Sequence, residues 1–465
     1  MPRKTMSSLL VYICTGVLIF LLTACGPASG SAPNTTKTAA GSTSANPPGT
    51  TTITQTAHTP SMPAAQTSCP LPIETGRAAV MRPLALGSDP AIAYIFNTGT
   101  QANPSFAELK WYDVANGNKT VITHLSNEYI TGAQVSTDGQ WILFVTDYPQ
   151  YDALQLVRMD GQGLQTLYCT TREAIQGVQW SPDQSRVIFS VRSISGLLNL
   201  YLLNMANGQV QPELVLPNNA NTGFLARTWA NNSLVYVAGV PMSQQGPASE
   251  KGLYLLNTRN GPNQSPGELE TVIVPSSSTC WDFDSDFNET TLAASQCNGS
   301  FSYSDIRAGF LQGPSAITRG TIIGEQPHPI YQNNAGAVTQ VRFLGYSSSS
   351  LLFTINSEGL SSPGVPVDSS HNGVWKMNAD GSGATELASE SRGYLCELNL
   401  FSQYPWANVS RNSGAYYVVQ ISSLGNGTTP PTYLEYGSVN GGSLKSFAFA
   451  YEFNGSLAIA GWTTM

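Results

Sequence analysis

A strand–turn–strand unit recurs from about residue 78 to the C-terminus, and this repetition limits the fold more than any other feature of the chain. One marker is a first strand, a short polar turn and an apolar second strand. Val135-Ser-Thr-Asp138-Gly139 precedes Trp141-Ile-Leu-Phe-Val145, and Trp180-Ser-Pro-Asp183 precedes Val187-Ile-Phe-Ser-Val191. Trp229-Ala-Asn-Asn232, Phe283-Asp-Ser-Asp286, Phe343 and Trp406 head later copies. The second marker is a hairpin closed by Asn or Asp and then Gly: Asn116-Gly117, Asp160-Gly161, Asn207-Gly208, Asn260-Gly261, Asp380-Gly381 and Asn440-Gly441. These residue types accept the positive φ of tight hairpins. Successive copies lie 44, 47, 53, 120 and 60 residues apart. The interval of 120 residues holds two periods and one degenerate copy.

A β repeat of this length predicts propeller blades. The expected fold is an all-β, seven-bladed β-propeller, with six or eight blades as alternatives. The blades fall at 78–123, 130–170, 175–217, 224–274, 280–323, 338–390 and 401–450. Asp138, Asp183 and Asp286 are assigned to the repeat turn, and Trp180, Trp229, Trp406 and Trp462 to the strand anchor before it. Ser456 to Met465 reads as a first strand with its anchor Trp462 but no turn. The first blade lacks such a strand before Ser88-Asp89-Pro90. The C-terminus is therefore expected to supply that strand and close the ring, which removes open sheet edges.

The N-terminus reads as an address. Arg3 and Lys4 precede Leu9 to Leu22, which is almost wholly apolar and too short to span a bilayer comfortably. Leu22-Thr23-Ala24-Cys25 follows and resembles the lipobox of bacterial lipoproteins. That resemblance implies a signal peptide at 1–24 and a lipidated Cys25 as the mature N-terminus. Residues 26–68 contain no aromatic residue and are built from Thr, Ser, Ala, Pro and Gly. Such a segment cannot bury enough apolar surface to order itself. It is expected to be a tether of about 35–40 Å average span. The domains are thus 1–24, the lipidated tether 25–68, and a propeller at 69–465. The expected location is extracytoplasmic, anchored to a bacterial membrane.

The Trp180-Ser181-Pro182-Asp183 turn, its apolar strand and the strand ending in Asn-Gly resemble the TolB-like, WD-like (PD40-type) propeller repeat. The resemblance implies a propeller that presents loops for binding. A small α/β domain precedes the propeller in TolB; here that place holds the tether and the lipobox, so TolB's own partner is not implied.

Charge and motifs narrow the function. The formal net charge is −8, and removal of Arg3 and Lys4 with the leader takes it to −10. With no long basic run, a nucleic-acid partner is not expected. G-x-S-x-G, P-loop and H-E-x-x-H motifs are absent from the sequence. Asp282, Asp284 and Asp286 form the densest acidic cluster, and alternation in a strand puts them on one face. Hard oxygen ligands suit Ca²⁺. Asp286 also shares the repeat column of Asp138 and Asp183, which fits plain turn chemistry; no other cofactor is expected. Tyr148, Tyr151 and Tyr303 fall in or near loops and offer aromatic contacts for a ligand. The expected function is a protein- or glycan-binding module of the envelope. The alternative is a propeller enzyme acting on glycans or small esters and lactones in its central channel.

Beyond Cys14 and Cys25 five cysteines remain. The midpoint of Cys280 and Cys297 falls on the turn at Asp286 to Glu289, so a cross-strand disulfide is expected there. Cys69 paired with Cys396 would pin the start of the fold. Cys169 is then the unpaired thiol.

Overall fold

The computed structural model describes residues 83–148, 151–171, 173–218, 220, 222–241, 253–273, 281–285, 291–297, 315–321, 328–333, 337–344, 350–356, 371–400, 416–423, 432–450 and 455–464. These residues build an all-β propeller of seven four-stranded antiparallel sheets. The first three strands are β1 (Pro90–Thr100), β2 (Asn103–Asp113) and β3 (Lys119–Ser126). The second sheet follows as β4 (Tyr129–Val135), β5 (Trp141–Tyr148), β6 (Tyr151–Arg158) and β7 (Gln165–Thr171). The third is β8 (Ala174–Trp180), β9 (Arg186–Arg192), β10 (Leu198–Asn204) and β11 (Val210–Leu214). The fourth is β12 (Thr222–Trp229), β13 (Leu234–Pro241), β14 (Leu253–Asn257) and β15 (Glu270–Ile273). The fifth is β16 (Trp281–Ser285), β17 (Thr291–Cys297), β18 (Ser315–Thr321) and β19 (His328–Asn333). The sixth is β20 (Ala337–Leu344), β21 (Ser350–Asn356), β22 (Gly373–Asn378) and β23 (Thr385–Ser389). The seventh is β24 (Gly393–Leu400), β25 (Tyr416–Ser423), β26 (Thr432–Ser438) and β27 (Lys445–Ala450). The last strand, β28 (Gly455–Thr464), returns to the first sheet and lies beside β1.

Stacked blades explain the unbroken apolar runs of the second strands. In β5 five consecutive residues, Ile142 to Thr146, are buried, and Val187 to Val191 of β9 repeat the pattern. A strand covered on both faces needs apolar residues on both. The core is accordingly a series of seams between neighbouring sheets. Ala93, Ile95 and Leu109 of the first sheet meet Ile142, Phe144 and Val157 of the second. Leu143, Leu154 and Leu156 of the second meet Val187, Phe189 and Leu203 of the third. Ile92 and Tyr94 meet Val418, Leu434 and Phe447 across the seam between the last sheet and the first.

Side chains on the first two strands tie five of the seams among the described residues. Asn97 on β1 holds β4 twice: its Nδ2 donates to the Ile130 carbonyl and its Oδ1 accepts the Ile130 N–H, both at 2.9 Å. Asn356 on β21 repeats this on Leu395 of β24, at 3.0 and 2.8 Å. Gln134 Oε1 accepts the Trp180 N–H at 2.9 Å, and Gln340 Oε1 accepts the Leu398 N–H at 3.0 Å. The anchor tryptophans also act between sheets. Trp229 Nε1 donates to the Gln179 carbonyl and Trp462 Nε1 to the Asn399 carbonyl, each on the preceding first strand.

Ring closure follows the expected route. β28 pairs antiparallel with β1 from Pro90–Thr464 to Thr98–Gly455. Thr463 Oγ1 donates to the Gly139 carbonyl at 2.7 Å, joining the last strand to the first turn of the second sheet. Turns in the Asp column behave as expected: Ser136 Oγ donates to Asp138 and accepts the Trp141 N–H, and Ser181 does the same with Asp183 and Arg186. Trp180, Trp229 and Trp462 are all buried.

Several expectations need correction. The fifth sheet runs on to β19, past the expected end at 323. The seventh starts at β24, Gly393–Leu400, before the expected 401. Trp406 follows that strand instead of ending it, because a long insertion separates β24 from β25; Trp406 itself lies outside the described residues. Cys169 is disulfide-bonded, not free. Asp286 and Cys280 lie outside the described residues, and so do residues 1–82 with Cys25 and Cys69.

The hairpin glycines do more than supply positive φ. Gly161, at φ +82°, sits so close to the preceding sheet that a Cβ would fall 2.4 Å from the Ile122 carbonyl oxygen. Gly381, at φ +88°, is equally tight against Ile330. Each of these turns rests on the outermost strand of the sheet before it. Gly161→Ala is expected to destabilise the fold by at least about 1–2 kcal/mol from the backbone conformation alone. Denaturant unfolding followed by tryptophan fluorescence measures it; an unchanged midpoint would contradict this packing.

Candidate functional site

Antiparallel pairing brings four connections of the first two sheets to one end of the ring: the β1–β2, β3–β4, β5–β6 and β7–β8 links. In register, Tyr129 faces Asp147, Asp147 faces Asp152, and Tyr148 faces Tyr151. The segment Asp147-Tyr148-Pro149-Gln150-Tyr151-Asp152 is a palindrome of side-chain type about its turn. Folding it as a hairpin therefore pairs tyrosine with tyrosine and acid with acid.

The tyrosine rings stack with centroids 4.3 Å apart and planes 19° from parallel. The Tyr148 hydroxyl hydrogen-bonds to Glu128, and burial followed by the Glu128 charge pushes that phenol well above its usual range. Glu128 is itself only 3% exposed, at the β3–β4 link. Burial raises its pKa, opposed by the Tyr148 hydrogen bond, and its Oε2 has no hydrogen-bond partner among the described residues.

Asp147 and Asp152 face one another across the hairpin, and their interaction lowers Asp147 and raises Asp152. Each is also held by a neighbouring sheet. Gln101 Nε2 of the β1–β2 link donates to Asp147 Oδ2 at 2.6 Å, and the Ile175 N–H of β8 donates to Asp152 Oδ2 at 2.9 Å. Burial, then the Asp147 charge, pushes Asp152 up to about 7 despite the Ile175 N–H; burial also raises Asp147. The pair is gripped by three sheets, and Asp152 changes protonation near neutrality.

The closing strand supports this end directly. Tyr129 and Ser456 share a hydroxyl–hydroxyl hydrogen bond of 2.8 Å, and Asn97 Nδ2 donates to the same Ser456 Oγ at 3.0 Å. Chemically the cluster offers a stacked aromatic surface, a partly protonated acid pair and an amide. Such groups can donate and accept hydrogen bonds around an apolar ring face.

The opposite end holds a cavity of about 390 Å³ between the third and fourth sheets, lined by Pro182, Asn232, Asn257 and Arg259 among others. The Asp183 N–H donates to Asn232 Oδ1 at 3.0 Å, and Arg186 lies 5.3 Å over Trp229 and donates to the Asn232 carbonyl. Its polar groups thus serve the turns themselves.

The expected acidic cluster is only partly visible. Asp282 and Asp284 occupy alternate positions of β16, opposite Ser295 and Ala293, while their side chains and Asp286 lie outside the described residues. Among the described residues no group of three His, Cys, Asp or Glu is arranged to hold a metal ion. The sequence reading found Tyr148 and Tyr151 but missed Glu128, Asp147, Asp152 and Gln101. The mirrored Asp-Tyr and Tyr-Asp pairs were the available signal. Tyr303 lies outside the described residues.

No protein-family model and no curated protein matches the chain. Solved structures show a partial likeness to it. TolB from Acinetobacter baumannii is 13% identical with a TM-score of 0.39, over 63% of this chain and 62% of that one. A prolyl endopeptidase is 11% identical with a TM-score of 0.49, over 79% of this chain and 50% of that one. An oligogalacturonate lyase in complex with manganese is 12% identical with a TM-score of 0.33, over 76% and 74%. This chain thus spans less than two thirds of the TolB chain and half of the prolyl endopeptidase. Nothing of their activity, partners or metal carries over at these identities and scores.

Asp152 binds its proton in the folded state up to about pH 7, whereas an unfolded aspartate loses it near pH 4. The folded state therefore holds the extra proton between these values, and stability falls as pH rises from about 4 to about 7. Asp152→Asn keeps an oxygen for the Ile175 N–H and removes the titration. Thermal unfolding across this range is expected to show a slope shallower by up to about 1.4 kcal/mol per pH unit. An unchanged slope would mean that Asp152 is ionised throughout.

Proposed function

We propose that this chain is a lipid-anchored, extracytoplasmic propeller of seven blades that binds a glycan or protein of the bacterial envelope through the Tyr148–Tyr151 end of its ring. The leader, the lipobox ending in Cys25 and the tether support the location. The observation that carries the binding reading is the stacked tyrosine pair set among Glu128, Asp147, Asp152 and Gln101. A sugar presents an apolar face to such rings and hydroxyls to such carboxyls, so a glycan is the first ligand class to test.

Two measurements address the two halves of the proposal. Metabolic labelling with a clickable fatty acid is expected to tag the full chain and to lose the tag in Cys25→Ser; an untagged wild type would remove the anchor. Detergent-solubilised full chain on an envelope-glycan array is expected to retain a defined set of glycans. Tyr148→Ala and Tyr151→Ala should each weaken retention about tenfold, the loss of some 1.4 kcal/mol. Equal retention by these variants would place the ligand elsewhere. Adding EDTA tests whether Ca²⁺ at Asp282, Asp284 and Asp286 contributes.

The acid pair favours one alternative, an enzyme acting on the same glycans. A carboxyl near pKa 7 beside a second carboxyl is suited to moving protons at neutral pH. Turnover of a retained glycan, lost in Asp152→Asn while retention persists, would select it.

A further inference from the structure

The geometry points to a second binding site, for an organic anion, in the cavity between the third and fourth sheets at the end of the ring opposite the tyrosine pair. Its wall is built from Pro182 of the β8–β9 turn, Asn231, Asn232 and Leu234 of the β12–β13 turn, and Asn257 and Arg259 at the end of β14. Register pairs Leu234 with Asn257, which brings the end of β14 beside the β12–β13 turn. The volume of about 390 Å³ lies within the range of about 300–1,000 Å³ usual for small-molecule sites. A single water takes up about 30 Å³ of liquid, so the cavity has room for an organic molecule.

Backbone donors fix the orientation of the three amides. Asn231 Oδ1 accepts the Ser233 N–H at 2.8 Å and the Leu234 N–H at 2.9 Å. Asn232 Oδ1 accepts the Asp183 N–H at 3.0 Å, and Asn257 Oδ1 accepts the Arg259 N–H at 3.0 Å. A backbone N–H can only donate, so each amide gives its oxygen to the turn. None of the three NH₂ groups donates to a described residue. The turns thus use the acceptor half of each amide and leave the donor half unspent.

The carbonyls of the wall are engaged as well. Thr137 Oγ1 donates to the Pro182 carbonyl at 3.3 Å, and Arg186 donates to that of Asn232. The Thr258 N–H donates to the Ser233 carbonyl at 2.8 Å, and Gln264 Nε2 donates to that of Asn257 at 2.9 Å. A wall of open donors and engaged acceptors complements a ligand rich in acceptors.

Charge narrows the ligand further. Arg259 is the charged residue of the wall; it is exposed, and its side chain makes no hydrogen bond or ion pair with a described residue. Arg186 adds a second positive charge behind the wall, fixed by the Asn232 carbonyl and Thr258 Oγ1. The one acid bonded to the wall, Asp183, has its carboxylate engaged by the hydroxyls of Ser181 and Ser185. Hydrogen bonds from a guanidinium to an oxyanion are charge-assisted and stronger than neutral ones. Carboxylates and phosphates both supply the oxygens and the charge, while Pro182 and Leu234 offer apolar surface to the rest of the molecule. The site lies away from Tyr148 and Tyr151 and does not depend on the glycan reading.

Isothermal titration calorimetry tests this with glucuronate, glucose 6-phosphate and glucose, added to the detergent-solubilised full chain at fixed ionic strength. At least one of the two anions is expected to bind ten times more tightly than glucose or better, and which of them does so separates a carboxylate site from a phosphate site. Arg259→Gln removes the charge and is expected to weaken that binding at least tenfold. Asn257→Asp keeps an oxygen for the Arg259 N–H but turns the NH₂ donor into a charged acceptor, and is expected to abolish binding. Unfolding midpoints of the unliganded variants report their folding. Arg259→Gln is expected to match the wild type, because that side chain holds nothing in the fold, so it carries the test even where Asn257→Asp does not fold. Binding of neither anion, glucose binding as tight as theirs, or anion binding unchanged in either folded variant would overturn the inference.

Discussion

Face-to-face burial of the middle strands is the constraint on which the rest of this structure depends. Strands such as β5 and β9 are apolar on both faces and must be covered on both. No sheet can satisfy this alone, so every sheet needs two neighbours and the array has to return on itself. The C-terminal strand answers that demand by pairing with β1 from Pro90 to Thr98. The amide brackets from Asn97 and Asn356 then hold neighbouring sheets at one spacing, because each satisfies both backbone groups of a single residue across the seam.

The candidate site inherits its geometry from that closure. Ser456 on β28 touches Tyr129 and Asn97, whose strands frame the acid pair. Asp147 and Asp152 are held from opposite sides by the first and third sheets. A shift of either sheet would break a hydrogen bond to a half-buried carboxyl. The contacts from both neighbouring sheets therefore hold the two carboxyls together, and burial keeps Asp152 protonated up to about pH 7.

Much of the fold was legible because the repeat writes the same physics many times. The Asp-column turn, the buried anchors Trp180, Trp229 and Trp462, and the completing C-terminal strand all follow from local pattern. The seventh sheet was misplaced because an insertion moved Trp406 away from the strand it was expected to end. The hairpin glycines were read as turn residues, while their contact with Ile122 and Ile330 belongs to tertiary packing that no local pattern carries. The acid pair was missed for a related reason. Asp147 and Asp152 look like ordinary hairpin flanks until the register sets them face to face and the neighbouring sheets bury them.

Hydrogen exchange at β28 tests the central claim, that the C-terminal strand closes the ring and thereby holds the site. Closure predicts that the amides of Leu457 to Trp462 exchange as slowly as their partners on β1, and only with global unfolding. Fast exchange along β28, with β1 still protected, would show a frayed terminus and an open ring, and would contradict this account.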